Sequence, residues 1–272
     1  MNLKLFNTFI AYNTSMSNMK KFSITELINT PLDKRSKEIR IEAINLSKAN
    51  GGYHYGGSFS CAEILITLYD EILNDNDRFI LSKGHACWVY YVLLQEKGYS
   101  PLLEGHPHLD LNNGVHWTTG SEGHGLPAGL GMAFAKKFSK KKDRVYILMG
   151  DGECQEGTTW ESLLQGGHRN LNNVTAIVDY NGIQGSGYVS EILPVEALKG
   201  TAELCGWDVI EINGHDNKQI KKALLTTGDK PVMIIAYTIK GKGVSYMEND
   251  PEWHAQWPDE EKEKIAREEL AK

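Results

Sequence analysis

Gly150–Gln184 reads GDGECQEGTTWESLLQGGHRNLNNVTAIVDYNGIQ, in which an apolar strand runs into Gly-Asp-Gly and a second apolar run ends in Asn-Gly one crossover later. The first run, Val145–Met149, is continuously apolar, as a parallel strand buried on both faces should be. Asp151, between Gly150 and Gly152, leaves that strand at the carboxyl edge of the sheet, where its carboxylate can hold a cation. The second run, Val174–Val178, delivers Asn181 and the backbone carbonyl of Ile183 to the same edge after one strand-helix-strand unit. Three oxygen ligands of this kind suit magnesium or calcium and leave positions for phosphate oxygens and water. A lone Gly-Asp-Gly is a common turn; the pairing with Asn181 makes it a clamp for a metal-bound diphosphate.

Outward from this stretch, helix and strand alternate. Asp33 opens a helix whose apolar face is Ile39, Ala43, Ile44 and Leu46, ending at Gly51 and Gly52. Ser60–Leu73 carries the stripe Ile64, Leu65, Leu68, Ile72 and Leu73 and reads as a second helix. Arg78–Leu81 reads as a short strand, Ala86–Lys97 as a helix, and Pro101–Ser121 as a long polar loop of the sort that often carries function. Gly125–Phe138, rich in small residues, suits a helix packed closely on a sheet, and Thr159–Arg169 is the crossover helix of the clamp. Asp208–Ile212 and Val232–Thr238 read as further strands. The order predicts an α/β fold, a parallel sheet with helices on both faces and its working loops at the carboxyl edge. One domain is expected over residues 30–272, preceded by an N-terminal extension, residues 1–29, whose Asn-, Ser- and Thr-rich start is expected to be disordered.

At 272 residues, 41% hydrophobic and 24% charged, the chain can bury one large α/β core. A net charge of −6 argues against nucleic acid or an anionic membrane as its main partner. Cys61, Cys87, Cys154 and Cys205 form no CxxC pair, so neither a disulfide framework nor a thiolate zinc site is indicated. Leu3–Tyr12 is broken by Asn7 and Thr8 and makes a poor signal peptide, and no apolar run reaches bilayer length. A cytoplasmic location is expected.

Six further segments flank the clamp: KANGGYHYGGS at 48–58, SKGHA at 82–86, GHP at 105–107, TTGS at 118–121, KGKGVS at 240–245 and DPEWH at 250–254. In that order they resemble the motifs of the transketolase family, in particular of the amino-terminal half that split transketolases carry as a separate subunit. The resemblance covers nearly everything after the extension and implies a fold that binds thiamine diphosphate with Mg2+ or Ca2+. It implies that His54, His85, His106 and His254 line the cofactor and the donor sugar, where imidazoles can move protons near neutral pH. Taken singly, each could be a structural histidine. It implies that Asp151, Asn181 and the Ile183 carbonyl hold the metal, that the Gly152 amide, Lys242 and His254 approach the diphosphate, and that Gly120 and Glu122 border the cofactor. Glu156 and Glu161 match glutamates that reach across a subunit interface. Lys242 could equally be a solvated loop lysine, and the two glutamates a solvated helix start where negative charge is favoured.

The chain departs from the family pattern at Tyr55, where GHPGG has proline, and at Glu122 and His124, where TTGxLGQG has leucine and glutamine. Glu122 is expected to meet the aminopyrimidine or a polar group of the substrate. The activity implied is transfer of a two-carbon ketol unit from a ketose donor to an aldose acceptor. The alternatives are a specialised sugar-modifying or decarboxylating thiamine-dependent two-carbon transferase, a non-catalytic cofactor-binding subunit, and a zinc protein built on His106, His108, His116 and His124, whose spacing fits no standard zinc motif. The resemblance reaches only the diphosphate-gripping half, and Glu260–Lys272 reads as a final charged helix. A partner subunit carrying the pyrimidine-binding domain is therefore expected, in an α2β2 assembly acting on sugars.

Overall fold

The computed structural model describes residues 22–52 and 54–272. Seven strands run in chain order: β1 (Arg78–Leu81), β2 (Val145–Gly150), β3 (Val174–Tyr180), β4 (Ile183–Gln184), β5 (Gly187–Tyr188), β6 (Asp208–Asn213) and β7 (Val232–Tyr237). Five of them form one parallel sheet in the spatial order β1-β2-β3-β7-β6, while β4 and β5 pair antiparallel as a small hairpin beyond the end of β3.

Alternation along each strand explains the unbroken apolar runs. In β2, Tyr146 and Leu148 enter one apolar cluster and Val145, Ile147 and Met149 the other. The first cluster is completed by helices Lys34–Ala49, Ala62–Thr67 and Cys87–Glu96, the second by Gly125–Phe138, Gly157–His168 and Ala197–Leu204. Both faces are therefore covered, and each fully buried aliphatic side chain contributes about 2 kcal/mol. Helix Gly125–Phe138 lies flush on the sheet because its glycines leave room: a Cβ on Gly129 would fall 2.5 Å from the Ile147 side chain, and one on Gly125 2.3 Å from Ser82 Oγ.

Two expectations are corrected. Ser60–Leu73 is not one helix. Cys61, at φ −106° and ψ 12°, separates Tyr55–Ser60 from Ala62–Thr67, and Leu68–Ile72 forms a wider turn closed by Leu73 N–H donating to the Leu68 carbonyl (2.8 Å). Nor does the folded chain begin at residue 30. Ile24–Asn29 is a helix capped by Ser23 Oγ, which accepts from the Glu26 amide (3.1 Å), and Leu27 is buried. The earlier part of the expected extension, residues 1–21, lies outside the described residues. Among the described residues no helix is long and apolar enough to cross a membrane.

Candidate active site

The carboxyl ends of the strands build a cleft from residues far apart in the chain. β2 ends at Gly150, and Asp151 caps the short turn Gly152–Gln155 that follows. Asp151 Oδ1 accepts from the Gly152 amide (2.8 Å), and Oδ2 accepts from the Gly182 amide (2.5 Å), which ties the ends of β2 and β3 together. Asn181 Oδ1 accepts from the Ile183 amide (3.0 Å), and the Ile183 carbonyl accepts from Lys240 Nζ (3.0 Å). Asp151, Asn181 and Ile183 thus line one cleft with Gly152, Lys240 and His254. Burial pushes the Asp151 carboxyl up to about 6, with the Gly182 amide only partly offsetting it. An all-oxygen donor set around a buried, under-compensated carboxylate fits a hard divalent cation. Gly152 is sterically required, since a Cβ there would lie 2.9 Å from that of Gln184.

Three of the four predicted histidines meet in the same cleft region. His54 takes the left-handed conformation (φ 70°) at the start of helix Tyr55–Ser60. Gly56, two residues on, sits so close that a Cβ would lie 2.9 Å from the Trp253 carbonyl and 3.1 Å from the Lys240 side chain. This contact draws His54, Lys240 and His254 together. The ring centroids of His54, His85 and His254 lie 5.2 to 5.5 Å apart. His54 Nδ1 donates to the His254 carbonyl (2.9 Å), and Lys240 Nζ donates to His254 Nδ1 (2.6 Å). Burial holds all three imidazoles below their ordinary value, His85 at about 4 and His254, with Lys240 adding to the effect, at about 2. They are uncharged at neutral pH. His106 stands beside Gly120, whose Cβ would be 3.4 Å from its ring.

Glu122 points to the cleft, with Oε1 3.1 Å from His85 Nδ1. Glu156 and Glu161 are exposed, and Glu161 borders a separate apolar groove with Leu130 and Phe134 between helices Gly125–Phe138 and Gly157–His168. The expectation for Lys242 is corrected. Its ammonium donates to the Ile28 carbonyl (2.5 Å) and lies 3.6 Å from Glu248, away from the cleft. Gly241 and Gly243, both left-handed (φ 76° and 97°), form a turn that sends Lys240 inward and Lys242 outward. The zinc reading also fails, because His116 meets the Phe79 backbone and His108 pairs with Glu104. Among the described residues no three His, Cys, Asp or Glu side chains come together as metal ligands.

Sequence reasoning gave no role to Lys83, Asp179 or Glu153. Lys83 pairs with Asp179 beneath the cleft, and Asp179 also accepts from Ser60 Oγ (2.5 Å), Thr238 Oγ1 and Asn181 Nδ2 (3.1 Å). Burial would raise Asp179, but Lys83 outweighs it and holds the carboxyl below its ordinary value. Glu153 accepts from the amides of Gly150 (2.8 Å) and Gly123 (2.9 Å) and from Ser82 Oγ (2.5 Å), with burial pushing it up to about 7. The available signal for Glu153 was a glutamate held within a Gly-Asp-Gly turn, where its carboxylate can reach back to the turn's own amides.

Residues 33–271 match the family described as transketolase, thiamine diphosphate binding domain. One of the two kinds of chain named for the apulose-4-phosphate transketolase of Phocaeicola vulgatus is 36% identical over 253 residues, covering 84% of this chain and 88% of that protein. The 6-deoxy-6-sulfo-D-fructose transketolase subunit SqwG of a Clostridium species is 36% identical over 243 residues, covering 80% and 88%. The crystal structure of transketolase from Campylobacter jejuni superposes with a TM-score of 0.78 at 29% identity, covering 88% of this chain and 42% of that one. The chain thus spans less than half the length of the whole transketolase it superposes on, and most of the length of the two subunits.

Proposed function

Because this chain belongs to the transketolase family, matching its thiamine diphosphate binding domain, we propose that it is the diphosphate-gripping subunit of a split enzyme that moves two-carbon ketol units from a ketose to an aldose. The partner would be a chain carrying the pyrimidine-binding domain, joined to it in an α2β2 assembly. The observation that carries this reading is the convergence of Asp151, Asn181 and the Ile183 carbonyl with Lys240 and His254 in one cleft. The first three would hold Mg2+ or Ca2+, and the last two would meet the diphosphate oxygens together with the Gly152 amide. When bound, thiamine diphosphate supplies a thiazolium that stabilises the carbanion needed for two-carbon transfer.

The chain's own residues then have separable tasks. Lys83 and Asp179 cancel each other's charge beneath the cleft, so attraction for the diphosphate rests on Lys240 and the metal. His54, His85 and His254, uncharged and close together, accept and return protons at sugar hydroxyls, with His106 beside Gly120. Glu156 and Glu161, both exposed, would face the partner chain. The proposed cytoplasmic location accords with four cysteines that all remain free.

The test is reconstitution with a pyrimidine-domain chain, assaying a ketose against pyruvate as donor. Ketol transfer from the ketose by the complex, with negligible turnover by either chain alone, is the expected result. Robust turnover from this chain alone, or preference for pyruvate, would contradict it.

A further inference from the structure

The contact between Glu122 and His85 carries one step further, resting on the functional reading above. Glu122 is placed by its backbone. Gly120 and Gly123 hold φ of 137° and 83°, conformations that favour glycine. The Gly123 amide donates to Glu153 Oε2 (2.9 Å), its carbonyl accepts from Thr158 Oγ1 (2.7 Å), and a Cβ on it would lie 2.6 Å from that of Glu156. The loop cannot swing Glu122 out of the cleft without breaking these contacts. His85 is equally fixed: it is packed against Gly57, whose Cβ would lie 3.1 Å from His85 Nε2.

At neutral pH the His85 ring is uncharged, because burial, with Lys83 and Lys240 nearby, outweighs the pull of Glu122. A neutral imidazole carries one N–H, and a carboxylate can only accept. The nitrogen facing Glu122 Oε1 is Nδ1, at 3.1 Å, so Nδ1 must carry the proton and Nε2 the lone pair. We propose that Glu122 is a positioning residue that locks His85 in the Nδ1–H tautomer and so leaves Nε2 as a fixed proton acceptor for the reaction. A side chain unable to accept at this position would let His85 divide between its two tautomers.

The test is histidine-labelled nitrogen NMR of the full chain, which reads the tautomer without any cofactor or turnover. The wild type should show His85 protonated at Nδ1. Glu122→Gln, whose amide oxygen still accepts, should keep that signature, and Glu122→Leu should lose it while the thermal midpoint stays close to that of the wild type. In the reconstituted complex Glu122→Leu should lower kcat about 10-fold or more, with a smaller change in KM, and Glu122→Gln should recover most of it. An unchanged tautomer in Glu122→Leu, or a Glu122→Gln variant that behaves like Glu122→Leu, would overturn the proposal. A wild-type complex inactive on every ketose would sink the functional reading, while the nitrogen spectra would still decide the tautomer on their own.

Discussion

Two clusters of buried charge sit at the carboxyl edge of this sheet, built from similar parts and balanced in opposite ways. In the first, Arg40 meets both oxygens of Glu63 (2.6 and 3.1 Å) and donates to the carbonyls of Ser36, Phe59 and Lys242. His215 donates from Nδ1 to Glu63 (2.8 Å) and accepts at Nε2 from the Ile239 amide (2.9 Å). Burial would raise the Glu63 carboxyl, but Arg40 and His215 reverse that and leave it at about 2. In the second cluster burial wins: Asp151 is pushed up to about 6 and Glu153 to about 7, and Lys240 is pushed down to about 8. Complete pairing makes the first cluster a bolt between elements. Incomplete pairing makes the second a receptor, less stable empty than it would be with a cation and an anion in place.

The difference can be broken most visibly at the bolt. Glu63→Ala, leaving Arg40 buried without its carboxylate, should cost about 3–5 kcal/mol in urea unfolding at neutral pH. Because the folded Glu63 pKa lies below its ordinary 4.5, the contribution is complete above that value and is lost as pH falls towards about 2. A Glu63→Ala chain as stable as wild type would erase the distinction between the clusters. Next in size is the contrast between two lysines on one turn. In the reconstituted enzyme Lys240→Met should lower activity about 100-fold, whereas Lys242→Met should stay within about 3-fold, because only the first faces the cleft.

Asp151 should show the reverse of Glu63. Its folded pKa is raised, so it subtracts stability fully above about 6 and not at all below its ordinary 3.8. Asp151→Asn in the ligand-free chain should therefore be more stable than wild type by about 1 kcal/mol at neutral pH, a gain that vanishes as pH falls below that ordinary value. Denaturation curves across pH would show it, and a loss of stability at neutral pH would mean that Asp151 is paired after all. The smallest effect is expected at Glu161, where Glu161→Gln should leave the chain's own stability within about 0.5 kcal/mol while weakening association with the partner by sedimentation.

Much of this arrangement is legible from the residues. The apolar runs into Asp151 and Asn181 locate β2 and β3 because a strand covered on both faces has no polar side to confuse its reading. Helix Gly125–Phe138 falls where its small residues place it. The break at Cys61 is hidden, since a helical stripe reads the same whether or not one backbone position departs from it. Helix Ile24–Asn29 is announced only by Ser23 and Glu26 at capping-box spacing, a short signal beside an Asn-, Ser- and Thr-rich stretch. Lys240 and Lys242 could not be told apart, because which one faces inward depends on the left-handed glycines of the turn rather than on the motif. Lys83, Asp179 and Glu153 come from separate segments, and only the folded edge brings them beneath the clamp.

The central claim is that the under-paired cluster holds a metal and a diphosphate through Asp151. Calorimetric titration of thiamine diphosphate into the reconstituted complex, with and without Mg2+, tests it most directly. Wild type should bind tightly only with the metal present, and Asp151→Asn should lose about 100-fold in affinity or more under the same conditions. Equal affinity with and without Mg2+, or an Asp151→Asn complex that binds as tightly as wild type, would contradict the account.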